Sequence, residues 1–184
     1  MYNISIISSS VRTDRKSHHV ALYFQKYLIE NKLANVSILD LKEYDFPIFE
    51  DKFSVMKKPS KNIIDFRNKI VASDGIIIVT PEYNGSFPAS LKNAIDLLYE
   101  EWNHKPIAIS TVSGGIYGGT QCLQALQFVL WKMKSWTMTA TFLVSEVQKK
   151  YDDQGNSLNK VESDKFAAVF IKELIWGMNI NKKT

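Results

Sequence analysis

The sequence predicts an α/β protein: a doubly wound, five-stranded parallel sheet of order 2-1-3-4-5 with helices on both faces. Three observations carry this prediction. Apolar runs alternate five times with segments of helical periodicity, the pattern of right-handed strand–helix–strand crossovers. The run Gly75 to Val79 (GIIIV) is apolar throughout, as a strand covered on both faces must be. Turn-forming residues follow the first, third and fourth runs, and in a sheet of this order those turns emerge side by side at the carboxyl edge.

In chain order, Tyr2 to Ser8 (YNISIIS) reads as the first strand and Ser17 to Leu28 as a helix with Val20, Ala21, Phe24 and Leu28 on one face. Asn35 to Leu39 is the second strand. Lys42 to Pro59 is irregular, with Phe46, Pro47, Ile48 and Phe49 expected against the sheet. Ser60 to Val71 has a helical stripe of Ile63, Phe66 and Ile70. After the Gly75 strand, Ser86 or Pro88 opens a helix carrying Leu91, Ala94, Ile95 and Leu98. Ile107 to Val112 is a fourth strand, Thr120 to Trp131 a helix and Thr137 to Leu143 a fifth strand. Ser163 to Trp176 closes the chain with an expected apolar stripe of Phe166, Val169, Phe170, Leu174 and Ile175. Tyr151 to Asn159 is a polar, turn-rich loop and no domain boundary is expected there.

At 184 residues and 45% hydrophobic content the chain suits one domain with one core. No stretch approaches eighteen consecutive apolar residues, and no secretory build is visible, so a cytoplasmic protein without a membrane partner is expected. Cys122 is a lone cysteine among apolar helix residues, expected as a small buried hydrophobe rather than a nucleophile. The net charge of +4 is spread over scattered lysines (Lys57, Lys58, Lys149, Lys150, Lys182, Lys183), and no basic helix interleaved with aromatics forms a nucleic-acid face. His104 has no metal-ligand spacing to its neighbours. There is no G-x-G-x-x-G after the first strand and no G-K-[ST], which excludes the common dinucleotide and NTPase loops.

Chemistry concentrates in three loops. Ser8 to Ser17 offers Ser10, Arg12, Arg15 and Ser17 just before a helix, whose unpaired N–H groups and partial positive charge suit a phosphate. Taken alone, Ser17 reads equally well as an ordinary helix cap and the arginines as surface charge. His18 and His19 are expected as exposed helix residues. Pro81, Glu82, Tyr83 and Asn84 form the second loop, where a flat aromatic beside a carboxamide suits a flat heterocycle with a polar edge. Glu82 has no second catalytic group beside it and is given a backbone role. Ser113 to Gly119 (SGGIYGG) brings four glycines that let bare backbone approach a ligand, or form a flexible surface turn.

These residues resemble the NAD(P)H-dependent FMN reductase family of flavodoxin-like proteins. The motifs are SSSVR with Ser17, PEYNGSFPASLKNAIDLL, and SGGIYGGTQCLQALQFVL, with weaker similarity running through the DDQG turn into the last helix. The resemblance implies FMN as cofactor, NADPH or NADH as co-substrate, and a small electron acceptor such as a quinone, azo compound, free flavin or metal oxyanion. It implicates Ser10, Arg12, Arg15 and Ser17 at the FMN phosphate, Pro81, Glu82, Tyr83 and Asn84 along the isoalloxazine, and Ser113, Gly114 and Gly115 on its other side. No catalytic triad is required, because the flavin carries the hydride chemistry. A homodimer or homotetramer is implied as well, with Tyr99, Trp102 and Trp131 as candidates either for its interface or for the core. One departure stands out: Ser9 occupies a position where the family usually has glycine. That departure keeps open a binding module that has lost its flavin, and an electron carrier without nicotinamide turnover is the other alternative.

Overall fold

A computed structural model describes residues 1–182, so Lys183 lies outside the described residues. Strands β1 (Tyr2–Ser8), β2 (Ala34–Asp40), β3 (Gly75–Pro81) and β4 (Pro106–Val112) pair in parallel. The fifth position is shared by two short strands, β5 (Trp136–Thr137) and β6 (Phe142–Val144), both paired to β4. The sheet order is β2-β1-β3-β4-β5, the predicted 2-1-3-4-5. Helices α1 (Ser17–Glu30), α2 (Leu41–Tyr44), α3 (Lys61–Ala72), α4 (Ala89–Asp96), α5 (Thr120–Lys132) and α6 (Lys160–Asn181) complete the chain.

Side-chain alternation divides the core. Ile4, Ile6, Ile77, Val79 and Ala108 pack with α1 and α6 on one face of the sheet. Ile7, Ile76, Ile78, Ile107 and Ile109 pack with α3, α4 and α5 on the other. Because successive strand residues point to opposite faces, a run such as GIIIV fills both layers at once.

Several expectations are corrected. The fifth strand is not continuous: Ile107 pairs with Thr137 and Ser110 with Phe142, so two residues of β4 face four on its neighbour. The surplus bulges out, and the Ser110 hydroxyl donates to the Phe142 carbonyl at 2.9 Å where the ladder resumes. Of the segment expected against the sheet, Phe46 packs on the second core layer, but Pro47 and Phe49 are exposed and Ile48 is 88% exposed. Asn93 holds that loop by polar contacts instead, accepting from Phe49 N and donating to the Pro47 carbonyl.

The last helix begins earlier than Ser163 because Asn159 caps it, accepting from Glu162 N at 3.4 Å while its amide donates to the Glu162 carboxylate. Its buried face is Ala167, Phe170, Ile171, Leu174, Gly177 and Met178, while Phe166 and Val169 are exposed. Small residues decide that face. A Cβ on Gly177 would meet Met138 Sδ at 2.5 Å, and one on Gly75 would meet Met178 Sδ at 2.7 Å, so α6 lies closer to the sheet than larger residues allow. Trp102 belongs to the core, fully buried with its indole N–H donated to the Ile95 carbonyl; Tyr99 and Trp131 are exposed.

Candidate functional site

The carboxyl ends of β1, β3 and β4 deliver three turns to one rim. Backbone bonds fix their spacing: Ser9 N donates to the Val79 carbonyl at 3.1 Å, and Glu82 N donates to the Val112 carbonyl at 3.2 Å. From α4, Ser90 Oγ donates to the Ser9 carbonyl at 2.6 Å. Between the turns lies a cleft of about 320 Å³ lined by Ser10, Arg12, Arg15, Ser17, Pro81, Glu82, Tyr83, Ser113 and Gly114. Nine of the expected site residues therefore meet. Asn84 and Gly115 are not among the lining residues.

The Tyr83–Ser86 turn shows why. Tyr83 N donates to the Ser86 carbonyl, Ser86 N returns the bond to Tyr83, and Asn84 and Gly85 between them have φ of 50° and 77°. Asn and Gly are the residues that hold such a doubly left-handed turn cheaply, so Asn84 stands exposed at its tip. Tyr83 points back instead, its hydroxyl 2.8 Å from Ser10 Oγ, joining the first and second loops. The Arg12 guanidinium lies 5.9 Å from the Tyr83 ring centre.

The start of α1 concentrates unsatisfied polarity. Lys16, at the cap position, makes no side-chain capping bond. Among the described residues, the buried side-chain polar atoms without a hydrogen-bond partner are Ser9 Oγ, Ser17 Oγ and His19 Nδ1, all at or beside this helix start. Ser17 is thus no ordinary cap. His18 N and His19 N already donate to the Arg15 and Lys16 carbonyls at 3.0 and 3.2 Å, so what the helix start offers is its positive end and the Ser17 hydroxyl, which lines the cleft. A buried hydroxyl left unpaired costs about 1–3 kcal/mol, and its place there fits an anion such as a phosphate. Ser10, Arg12 and Ser17 fit FMN in that respect; Ser9 is fully buried and does not line the cleft.

The contrasting helix is α5. The Glu82 carboxylate accepts from Gln121 N and Cys122 N at 3.1 and 3.0 Å and occupies that N-terminus itself. Its role is therefore carried by the side chain as well as the backbone. Cys122 is buried, and burial pushes its thiol up to about 12, an inert group as expected. In the glycine loop, Ser113 Oγ donates to the Gly115 carbonyl at 2.8 Å and accepts from Gly118 N at 3.1 Å, so this loop is braced rather than loose.

His18 and His19 are half-buried rather than exposed. His18 Nδ1 lies 2.9 Å from Ser8 Oγ, and burial followed by the Arg15 charge lowers its pKa below the ordinary value. Sequence reasoning also missed Val112, Val147 and Gln148, which line the cleft, and Asp40, which grips Arg15. Val147 and Gln148 follow β6, whose carboxyl end lies at the same rim; the signal was topological. A larger cavity of about 460 Å³, walled by Phe142, Leu143, Tyr151, Leu158 and Phe166, opens between β6 and the start of α6. None of the expected site residues touches it.

A 2-1-3-4-5 parallel sheet with helices on both faces, whose carboxyl-edge turns wall a polar cleft beside the start of α1, defines a flavodoxin-like protein. Comparison with known proteins narrows the class. The sequence model of the NADPH-dependent FMN reductases matches residues 2–149, and the chain belongs to that family of FMN-dependent oxidoreductases. An NAD(P)H-dependent FMN reductase of Saccharomyces cerevisiae is 35% identical over 145 residues, 71% of this chain and 74% of the relative. A quinone reductase of Pseudomonas putida is 27% identical over 99% of this chain and 97% of its own. Among solved structures, the Paracoccus denitrificans flavoenzyme FerB, an NAD(P)H:(acceptor) oxidoreductase, superposes with a TM-score of 0.78 at 21% identity, covering 97% of this chain and 98% of that one. At that identity the likeness speaks for the fold. Among the described residues no helix is long and apolar enough to cross a membrane, and no group of three or more His, Cys, Asp or Glu is placed to hold a metal ion.

Proposed function

We propose that this protein uses NADPH or NADH to reduce a small organic acceptor, a quinone by preference, through FMN held in the rim cleft. The observation that carries the reading is the unpartnered buried hydroxyl of Ser17 at the start of α1, which lines the cleft together with Arg12. When bound, FMN supplies the hydride chemistry, and the chain's task is to place and shield it. Ser10 and Ser17 donate their hydroxyls to the phosphate at the positive end of α1, and Arg12 adds charge. Pro81, Glu82 and Tyr83 form one wall for the ring, Asn84 shapes the turn that carries them, and Ser113, Gly114 and Gly115 border the opposite side. Gly114 and Gly115 have little around them, which leaves room for a nicotinamide or an acceptor to approach.

The test is reconstitution with FMN followed by steady-state turnover with each nicotinamide and a benzoquinone. Parallel initial-rate lines are expected, because both substrates use one place in turn; intersecting lines reject the shared place, and absent turnover rejects the enzyme. The same reading places the protein in the cytoplasm as a homodimer or homotetramer. Exposed Phe128 and Trp131, whose rings lie 5.8 Å apart on α5, form the contact to be tested by sedimentation.

A further inference from the structure

We propose that Asp40 and Arg15 are a positioning pair that sets the shape of the phosphate loop, and that Arg15 is not itself a phosphate ligand. The inference rests on the first loop being the FMN phosphate cradle. Asp40 ends β2, which lies beside β1, so its carboxylate stands next to the loop that leaves β1. Arg15 meets it fork to fork: Nη2 donates to Oδ2 at 2.6 Å and Nη1 donates to Oδ1. Each side chain is only 13% exposed. Arg15 Nη1 also donates to the Ser10 carbonyl at 3.2 Å, which fixes the backbone of the residue whose hydroxyl faces the cleft. The carboxylate is anchored in turn, because Asp40 Oδ1 accepts from Lys42 N at 3.0 Å at the start of α2.

A guanidinium held this way reaches an anion fully only by leaving Asp40, which strands a largely buried carboxylate, and that is a costly exchange. Arg12 has no such tie. It is exposed and, among the described residues, makes no ion pair. The two arginines thus divide the work: Arg12 meets the phosphate, and Arg15 with Asp40 holds the loop in register with β2.

Flavin titration of the full-length, flavin-free protein tests this, with FMN and riboflavin as the two probes; they share the ring and differ by the phosphate. Asp40→Asn and Arg15→Gln should each weaken FMN binding by about tenfold to a hundredfold, the range for losing hydrogen bonds to a charged group. The double variant should be no worse than either single one, and riboflavin affinity should fall far less than FMN affinity, because the loop reaches the ring wall only through the Ser10–Tyr83 hydroxyl contact. Asp40→Glu, which keeps the charge, should recover most of the FMN affinity. If Arg15→Gln costs much more than Asp40→Asn, or the two losses add, Arg15 is a direct ligand and the proposal fails. Equal losses of FMN and riboflavin also reject it, since they signal general damage to the fold. Arg12→Ala serves as the control on the cradle: if it leaves the FMN-to-riboflavin ratio unchanged, the cradle reading falls and takes this proposal with it.

Discussion

The carboxylate of Glu82 accepts the backbone N–H of Cys122 at 3.0 Å, so the turn after β3 caps a helix forty residues further along the chain. The same residue's N–H is spent on the Val112 carbonyl at 3.2 Å. Glu82 thereby ties the second loop to both ends of the glycine loop. Its negative charge on the α5 N-terminus should be worth about 1 kcal/mol through the cap and the helix dipole. Glu82→Ala is expected to lower the urea unfolding free energy by about that amount, and Glu82→Gln by less. An alanine variant as stable as the parent would mean that the Val112 bond alone holds the turn.

Ser17→Ala separates stability from binding. The Ser17 hydroxyl is buried without a partner, so removing it from the flavin-free protein should leave the melting temperature unchanged or raise it slightly. FMN affinity should fall by about tenfold or more, the worth of one hydrogen bond to a charged acceptor. Calorimetry and a fluorescence titration on one preparation check both halves; unchanged FMN affinity would remove Ser17 from the site.

His18 gives a pH signature. Burial, with the Arg15 charge, lowers its pKa from 6.5, so the folded state favours the neutral ring. Well above pH 6.5 the ring is neutral in both states and contributes no pH dependence. Below that, the unfolded chain binds a proton that the folded chain resists, and stability falls until the pH has passed the lowered folded value. His18→Asn should flatten the part of the stability curve that the histidine creates as the pH falls below 6.5. Identical slopes for parent and variant in flavin-free protein would show that the ring titrates freely in the folded state.

Gly155 locks the turn before α6 onto α1. Its φ is +77°, and a Cβ there would meet Leu22 Cβ at 2.5 Å and the Tyr23 backbone N at 2.8 Å. Gly155→Ala combines backbone strain with a clash against a helix and should cost about 2–3 kcal/mol. Equilibrium denaturation measures it; a loss below about 0.5 kcal/mol would mean that the turn moves away from α1 at little cost.

The alternation of strands and helices was legible in the residues, and so were the three loops, because apolar spacing and turn chemistry act over a few positions. β1 runs from Tyr2 to Ser8 as the pattern required, and Ile63, Phe66 and Ile70 are the buried face of α3. The stripe on α6 was misplaced because Phe166 and Val169 carry a helical spacing of their own, while Ala167 and Gly177 make the contact through small size. Spacing identifies apolar residues, not the face that fits.

The sequence by itself determined the strand order of the sheet and most of the groups arriving at its carboxyl edge, nine of the eleven expected residues lining the cleft. Only the tertiary structure decided which of those groups are free. Ser17 and Glu82 both stand near helix starts, yet one hydroxyl is left unpaired and one carboxylate is consumed. Arg12 and Arg15 lie three residues apart in the sequence, yet Asp40 claims only the second. The reason is that a donor or acceptor has few bonds to give. Which partner takes them depends on strands brought side by side from distant parts of the chain, and local residue patterns carry no record of that choice.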